Sequence, residues 1–448
     1  MSPRRVALTL LICACGFASS LACPFCLAPP QTFSEQFQLS DFVVVAEFVK
    51  FDVLGKGTLP LATFRCREIL SALPESLAQT PNLKPGAIIQ RSAEATGQPG
   101  DLYLIYGDLL IDPAIPPADT ASPRTFVNES GKAIPPIRNV SLPAAAITPA
   151  IDWTDHTAIS PVAAKYLKTL PSRDLPVQQR LEWYVRHLES PDPLVAGDAW
   201  AEFGCAAYED VRACRRLYSP ERLKSWVSDP GMSPERLGLY GLMLGLCGSP
   251  EDAAVLRSQC FNADTGEFRF GAEGLVAGYL LLSGEAGLSD VEQQFLQPET
   301  SSSARHALLQ TLDFFHTYEP DLIPQARICQ SARLLLHDPV LAETTVMSLA
   351  RWRDWDSLPL LTQIFDEALK SAPPAENDSL LRSITQFAQL CSKASPTTSG
   401  LKPQETEVAG NQSVLQSRLA DEFLARIAAN HPELVKPRES PFQPPAPQ

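Results

Sequence analysis

Cys23-Pro24-Phe25-Cys26 sets two thiols at the spacing used for dithiol–disulfide exchange. That chemistry needs one sulfur held as a thiolate, which a helix N-terminus achieves by aiming successive backbone N–H groups at it. Here Leu27-Ala28-Pro29-Pro30 follows, and each proline removes one such donor. No strand precedes Cys23 to begin a βαβ unit. A structural disulfide is therefore expected, with a thiol-disulfide oxidoreductase using Cys23 and Cys26 as the enzyme alternative. Leu27 stands where attachment of a c-type haem requires His.

Other chemistry-bearing residues are scattered. The six histidines, at 156, 187, 306, 316, 337 and 431, show neither His-x3-His nor Cys-x2-Cys-His clustering, so no metal site is expected. The chain also lacks Gly-x-Ser-x-Gly, a Walker loop, a dinucleotide fingerprint and His-Glu-x-x-His. No catalytic residue and no cofactor are assigned. Trp352 and Trp355, three apart in a helical pattern, are either an aromatic platform for a partner or filling between helices, and aromatics at this spacing usually pack. Cys205, Cys214, Cys247, Cys260, Cys329 and Cys391 lie mostly among apolar residues, as buried inert thiols do. Bridges between Cys205 and Cys214, or Cys247 and Cys260, remain open.

Residues 1–22 read as an export signal: Arg4-Arg5, then an apolar run from Val6 to Phe17, then Ser20-Leu21-Ala22 with small residues at −3 and −1. Cleavage after Ala22 makes Cys23 the mature terminus. A cysteine there also admits a lipid anchor, although Ser20 occupies the position where such signals usually carry Leu. Nothing later is apolar for the 18 residues or more of a membrane span. A secreted, periplasmic or cell-envelope location is expected. The whole chain carries a net charge of −14. Without Arg4 and Arg5 the count is 35 basic against 51 acidic residues, which argues against nucleic acid. Removing Cys13 and Cys15 leaves nine cysteines, so at least one cannot pair.

About 426 mature residues exceed one core, and two or more domains are expected. From Cys23 to Ile111 the pattern is β. Phe42 to Val49 is a β-branched and aromatic run, Thr63 to Ile69 alternates Phe64 and Cys66 with Arg65 and Arg67, and Pro85-Gly86 and Pro99-Gly100 turn the chain into Ala87–Arg91 and Leu102–Tyr106. Four or more short strands imply a small antiparallel barrel or sandwich. The segments Cys23–Cys26, Asp41–Val49, Phe64–Leu70 and Gly100–Gly107 resemble the motifs of the netrin-like module, an OB-type barrel shared by metalloprotease inhibitors. That resemblance implies a disulfide from Cys23 or Cys26 to Cys66. The module opens with Cys-x-Cys rather than Cys-x-x-Cys, so its zinc-chelating terminal amine is not carried over.

Residues 112–155 read as a proline-rich linker, with eight prolines between Asp112 and Ala150. Residues 156–432 read as helical. Ser190-Pro191-Asp192, Ser219-Pro220-Glu221, Ser233-Pro234-Glu235 and Ser249-Pro250-Glu251 each offer a hydroxyl cap, a proline at the first position and an acid facing the dipole. Their steps of about 30 residues suggest helix pairs in an α-solenoid. Apolar stripes are expected at Leu237, Tyr240, Leu244 and Cys247, at Leu360, Leu361, Ile364, Phe365 and Leu369, and at Val414, Leu415, Leu419, Phe423, Leu424 and Ile427. These resemble HEAT-type repeats. Residues 433–448, with five prolines, read as a disordered tail.

The fold class is thus α+β and multidomain: a small N-terminal barrel followed by a solenoid of HEAT-like helix pairs. That combination, with the Cys-Pro-Phe-Cys opening and Ala350-Arg-Trp-Arg-Asp-Trp355, resembles uncharacterised bacterial secreted proteins. The expected function is non-catalytic binding of a protein partner, with a lipid-anchored inhibitor of an extracellular enzyme as a further alternative.

Overall fold

The computed structural model describes residues 25, 30–52, 61–92, 97–110, 151–261, 271–371, 378–394 and 403–435. Residues 1–22, read as an export signal, Cys23, Cys26 and residues 112–150, read as linker, lie outside them. The chain divides into two compact units, one of Ala28–Asp210 and one of Val211–Gln448 together with Ala22–Leu27.

The first unit begins with helix α1 (Phe33–Leu39), whose Thr32–Glu35 capping box satisfies two backbone N–H groups reciprocally. Strands β1 (Phe42–Asp52) and β2 (Leu61–Ala72) follow, then α2 (Pro74–Gln79), β3 (Ile88–Ser92), β4 (Leu102–Leu109) and β5 (Ile151–Ile159). Helices α3 (Pro161–Lys168), α4 (Val177–Tyr184) and α5 (Pro193–Gly204) complete it, and α6 (Tyr208–Ala213) runs across the division. The strands form one antiparallel sheet in the order β3-β2-β1-β4-β5.

One sheet face carries Val44, Ala46 and Phe48 of β1, Phe64 and Cys66 of β2, Ile89, Tyr103 and Ile105, all buried in one cluster. Arg65 and Arg67 point away and are exposed, as their alternation requires. The opposite face carries Val43 and Val45, paired with Tyr106 and Leu104. It is covered by α1, where the Tyr106 hydroxyl donates to Gln36 at 2.6 Å and the Phe37 and Tyr106 rings meet edge to face.

The expected closed barrel is corrected: the sheet is open, with β3 and β5 as its edges. Closure requires the outermost strands to pair, but β3 has five residues and meets only Leu61–Arg65 of β2. A helix, not a returning strand, covers the second face. β5 begins within the stretch read as linker: Ile151, Asp152 and Trp153 pair with Leu109, Asp108 and Gly107 of β4. Trp153 and Ile151 pack there beside Phe42 and Leu109.

In the second unit come α7 (Pro220–Val227), α8 (Pro234–Cys247), α9 (Ala253–Cys260), α10 (Ala272–Phe295), α11 (Ser302–Tyr318), α12 (Gln325–Leu334), α13 (Ala342–Arg351), α14 (Leu358–Ser371), α15 (Asp378–Ser392), α16 (Pro403–Asn430) and α17 (Pro432–Val435). The last occupies residues 433–435 of the expected tail, whose remainder lies outside the described residues. Ser219 caps α7 through the Arg222 N–H, and Ser249 forms a capping box with Asp252. Ser233 precedes Pro234 at the start of α8 without a side-chain cap bond. At the first expected cap the helix begins two residues later: Asp192, not Ser190, accepts from Leu194 and Val195, and Pro193 takes the first position. Asp192 also accepts from Ser160, the cap of α3.

Helices pack on their next or next-but-one neighbours, with α8 against α10, α10 against α11, α13 against α15 and α15 against α16. The α8–α10 contact is backbone to backbone: a Cβ on Gly241 would lie 2.8 Å from Leu275 Cα and 2.9 Å from Gly274 O. Helix α10 breaks at Gly284, whose φ of +61° suits glycine. Among the described residues no helix is long and apolar enough to cross a membrane.

Candidate functional site

The residues singled out from sequence fall in separate places. Phe25, between the two cysteines, is buried within the second unit, its ring 4.8 Å from that of Phe314. Its carbonyl lies 2.9 Å from where a Cβ on Gly238 would stand, so glycine at 238 permits the approach. Cys66 is an unbridged thiol in the sheet's aromatic core, and burial pushes it above the ordinary thiol value. The bridge from Cys247 to Cys260 does not form, and Cys205 is unbridged as well.

Trp352 and Trp355 do not share a helical face. Helix α13 ends at Arg351, and Arg353 adopts φ +58°. The Asp354 N–H then reaches back to Leu349 O and the Arg353 N–H to Ala350 O, the two bonds of a left-handed helix stop. Trp352 stacks on His316 at 4.9 Å and donates its indole N–H to Asp313, which also receives Arg351. Trp355 instead packs edge-on against Phe387. Arg333 closes the turn by donating to Asp354 and Ser357. The Arg-Trp-Arg-Asp-Trp stretch is thus a fastened turn.

The densest chemistry lies within the first unit, on residues the sequence reading passed over. Asp198 and Glu202 sit four apart on α5, on its buried face. Asp198 accepts the Phe33 N–H at 2.7 Å and the Tyr166 hydroxyl at 2.7 Å. Beside it Ser34 and Tyr184 share a 2.9 Å hydrogen bond, and Glu202 receives Arg180 at 2.9 Å. Tyr166, Trp183 and His187 form an aromatic cluster against the network, with centroids 4.4 to 5.0 Å apart. The start of α1, α3, α4 and α5 are therefore joined by polar groups removed from water.

Burial raises the Asp198 carboxyl to about 7, opposed by its bonds from Tyr166 and Phe33 and reinforced by the charges of Glu202 and Glu35. Burial also drives Tyr166 and Tyr184 far above the ordinary phenol value, so both are neutral donors. Tyr184 consequently cannot take the Ser34 proton, and Ser34 stays an ordinary hydroxyl. The same holds for thiols: burial pushes Cys205 up to about 11, and Cys247 and Cys329 up to about 12. These groups can bind and position; they are not poised as nucleophiles.

The network backs onto a cleft of about 580 Å³ between α1, the end of β2 and the loop after α3. Ser34 and Phe37 of α1 form one wall, Leu70 and Leu167 line it, and Lys168 and Arg173 stand at its edge. Those cations pair with Glu68 and Glu35. The single sequence signal for this site is the placing of two acids in an otherwise apolar stretch, Leu194 to Phe203.

In the second unit an apolar groove of about 440 Å³ runs between α14 and α16, lined by Leu358, Pro359, Leu419 and Phe423 with Glu422 and Arg426 beside them. The expected α16 stripe splits here. Phe423 and Ile427 are buried, whereas Val414, Leu415 and Leu419 are 66%, 57% and 39% exposed.

No protein-family model matches this sequence, and no curated protein does.

Proposed function

We propose that this chain is an exported, non-catalytic interaction protein, in which a small β-containing unit accompanies a stack of HEAT-like helix pairs that binds a protein partner. The observation that carries the reading is the α14–α16 groove with its exposed continuation along Val414, Leu415 and Leu419. Terminal repeats in helical stacks normally turn a polar face outward, and an apolar one marks a surface for binding. The occupant is an extended apolar segment of another protein, with Glu422 and Arg426 offering both signs of charge to its flanks.

Further support comes from the packing of helices onto their next and next-but-one neighbours, including α14 on α16. The leader supports export. The strands β1, β2 and β4 overlap the three strand motifs of the netrin-like resemblance. The elevated thiols and phenols favour binding over redox or nucleophilic chemistry.

The test is partner recovery from the exported fraction by the full chain and by a Leu415→Asp/Leu419→Asp variant with unchanged thermal unfolding. A partner retained by the wild type and lost by the variant is expected. Recovery of nothing, or equal recovery by both, overturns the reading.

A further inference from the structure

Helix α1 is both a wall of the cleft and the element that Asp198 holds, and these two roles meet in adjacent residues. Phe33, the first residue of α1, donates its N–H to Asp198 at 2.7 Å, while Ser34, which lines the cleft, is bonded to Tyr184 at 2.9 Å. Further along, α1 meets the sheet through the Tyr106–Gln36 hydrogen bond and the Phe37–Tyr106 ring contact, and Glu35 pairs with Arg173. A seven-residue helix has little stability of its own and stays folded through such contacts.

We infer that Asp198 and the start of α1 form a proton-operated latch that controls access to the cleft beneath α1. The latch works through linkage between α1 docking and the protonation of Asp198. With α1 docked, the carboxyl is shut away from water among Tyr166 of α3, Tyr184 and Arg180 of α4, Glu202 of its own helix and Glu35 of α1, with Arg173 of the following loop paired to Glu35. The charges of Glu202 and Glu35 both act against its ionisation, and Arg180 is committed to Glu202. Lifting α1 removes the Phe33 N–H and admits water, which returns the carboxyl towards its ordinary range. The docked form therefore holds the proton more tightly than the undocked form.

The direction follows from that ordering. Acid favours the docked form, and raising the pH towards about 7 favours release, the effect ending once docked Asp198 is itself ionised. Between about pH 4 and 7 the undocked population grows by up to about tenfold per pH unit, one proton being lost on opening, and it levels off above about 7, where docked Asp198 is itself ionised.

Hydrogen exchange of the segment that carries Phe33 and Ser34, expressed as protection relative to intrinsic rates between pH 5.5 and 9, tests this in the full chain. Wild type should lose protection as the pH rises from 5.5 to about 7, by up to about tenfold per unit, and level off above that. Asp198→Asn, which keeps an acceptor but cannot ionise, should give a flat profile. Binding of an uncharged solvatochromic dye should rise over the same pH range and level off with it in wild type, and stay constant in the variant. A flat wild-type profile, an equal loss in Asp198→Asn, or dye binding independent of pH overturns the latch. If Asp198→Asn does not fold, Tyr166→Phe decides: deleting a donor to the carboxylate must move the pH at which the profile levels off upward, and an unmoved levelling point overturns the proposal.

Discussion

The two units solve the problem of close helix packing by opposite means. In Ala28–Asp210 the helices meet through a buried polar network that pairs Asp198 with Tyr166, Ser34 with Tyr184 and Glu202 with Arg180, leaving Arg180 Nε and Glu202 Oε1 without a hydrogen-bond partner among the described residues. In Val211–Gln448 the crossing of α8 and α10 contains no polar side chain at its closest point, only Gly238, Gly241 and Gly245 against Gly274 and Gly278. The first arrangement depends on protonation and tolerates small changes of shape. The second is indifferent to pH and has no room for a methyl group. Titration should therefore perturb one unit, and added volume the other.

The largest expected effect is in the first unit. Arg180→Met leaves Glu202 buried without its cation and should destabilise Ala28–Asp210 by about 3–5 kcal/mol, because an unpaired buried charge costs more than its partner's hydrogen bond contributes. Denaturant unfolding followed by the fluorescence of Trp183, which lies in that unit, reads this out; a change below 1 kcal/mol, flagged by an unmoved midpoint, contradicts the network account.

Next is Gly241→Ala in α8. Alanine gains about 1 kcal/mol of helix propensity over glycine. The added Cβ nevertheless meets Leu275 Cα and Gly274 O, backbone atoms that cannot rotate away. Separating the helices by a few tenths of an ångström should leave a net loss of about 1–3 kcal/mol. Thermal unfolding that rises instead of falling removes the claim that these helices touch through their backbones.

The sharpest separation of the units is in pH. Folded Asp198 holds its proton up to about 7, against about 3.9 for an unfolded aspartate. For a carboxyl raised on folding, the favourable contribution is complete below the unfolded value and is lost as pH rises through the folded one. Between about pH 4 and 7 wild type should gain stability relative to Asp198→Asn on acidification, with a slope approaching 1.4 kcal/mol per unit at about its steepest. The difference between the two proteins isolates this residue from every other carboxylate. Equal pH dependence in both proteins contradicts the burial argument.

The smallest effect expected is at Arg353. With φ +58° it occupies a helix stop that glycine adopts without steric penalty, so Arg353→Gly should stabilise the second unit by about 0.5–1 kcal/mol. A destabilised variant would mean that the arginine side chain makes a contact outweighing its backbone strain.

Local patterns predicted local outcomes well. The alternation of Phe64 and Cys66 with Arg65 and Arg67 appears as a strand with one buried and one exposed side. Ser219-Pro220 begins a helix because hydroxyl capping and a fixed φ need nothing beyond four residues. Trp352 and Trp355 show where such reasoning stops. Their spacing matches a helical face, but the chain turns at Arg353, where the Asp354–Arg333 and Trp352–Asp313 bonds fasten the turn. Those partners are 21 and 39 residues away. No local rule anticipates them.

Order of elements, helix starts, strand faces and the α+β class follow from the amino-acid sequence alone, because each depends on interactions within about one turn or one hairpin. Whether the sheet closes depends on what reaches its edges, and β5 arrives from beyond a proline-rich stretch to occupy the place beside β4. The buried carboxyl of Asp198 depends likewise on Phe33, 165 residues earlier, and on Tyr166. An acid on a helix is ordinarily solvated; only the docking of α1, α3 and α4 around it excludes water, and excluded water is what changes its chemistry.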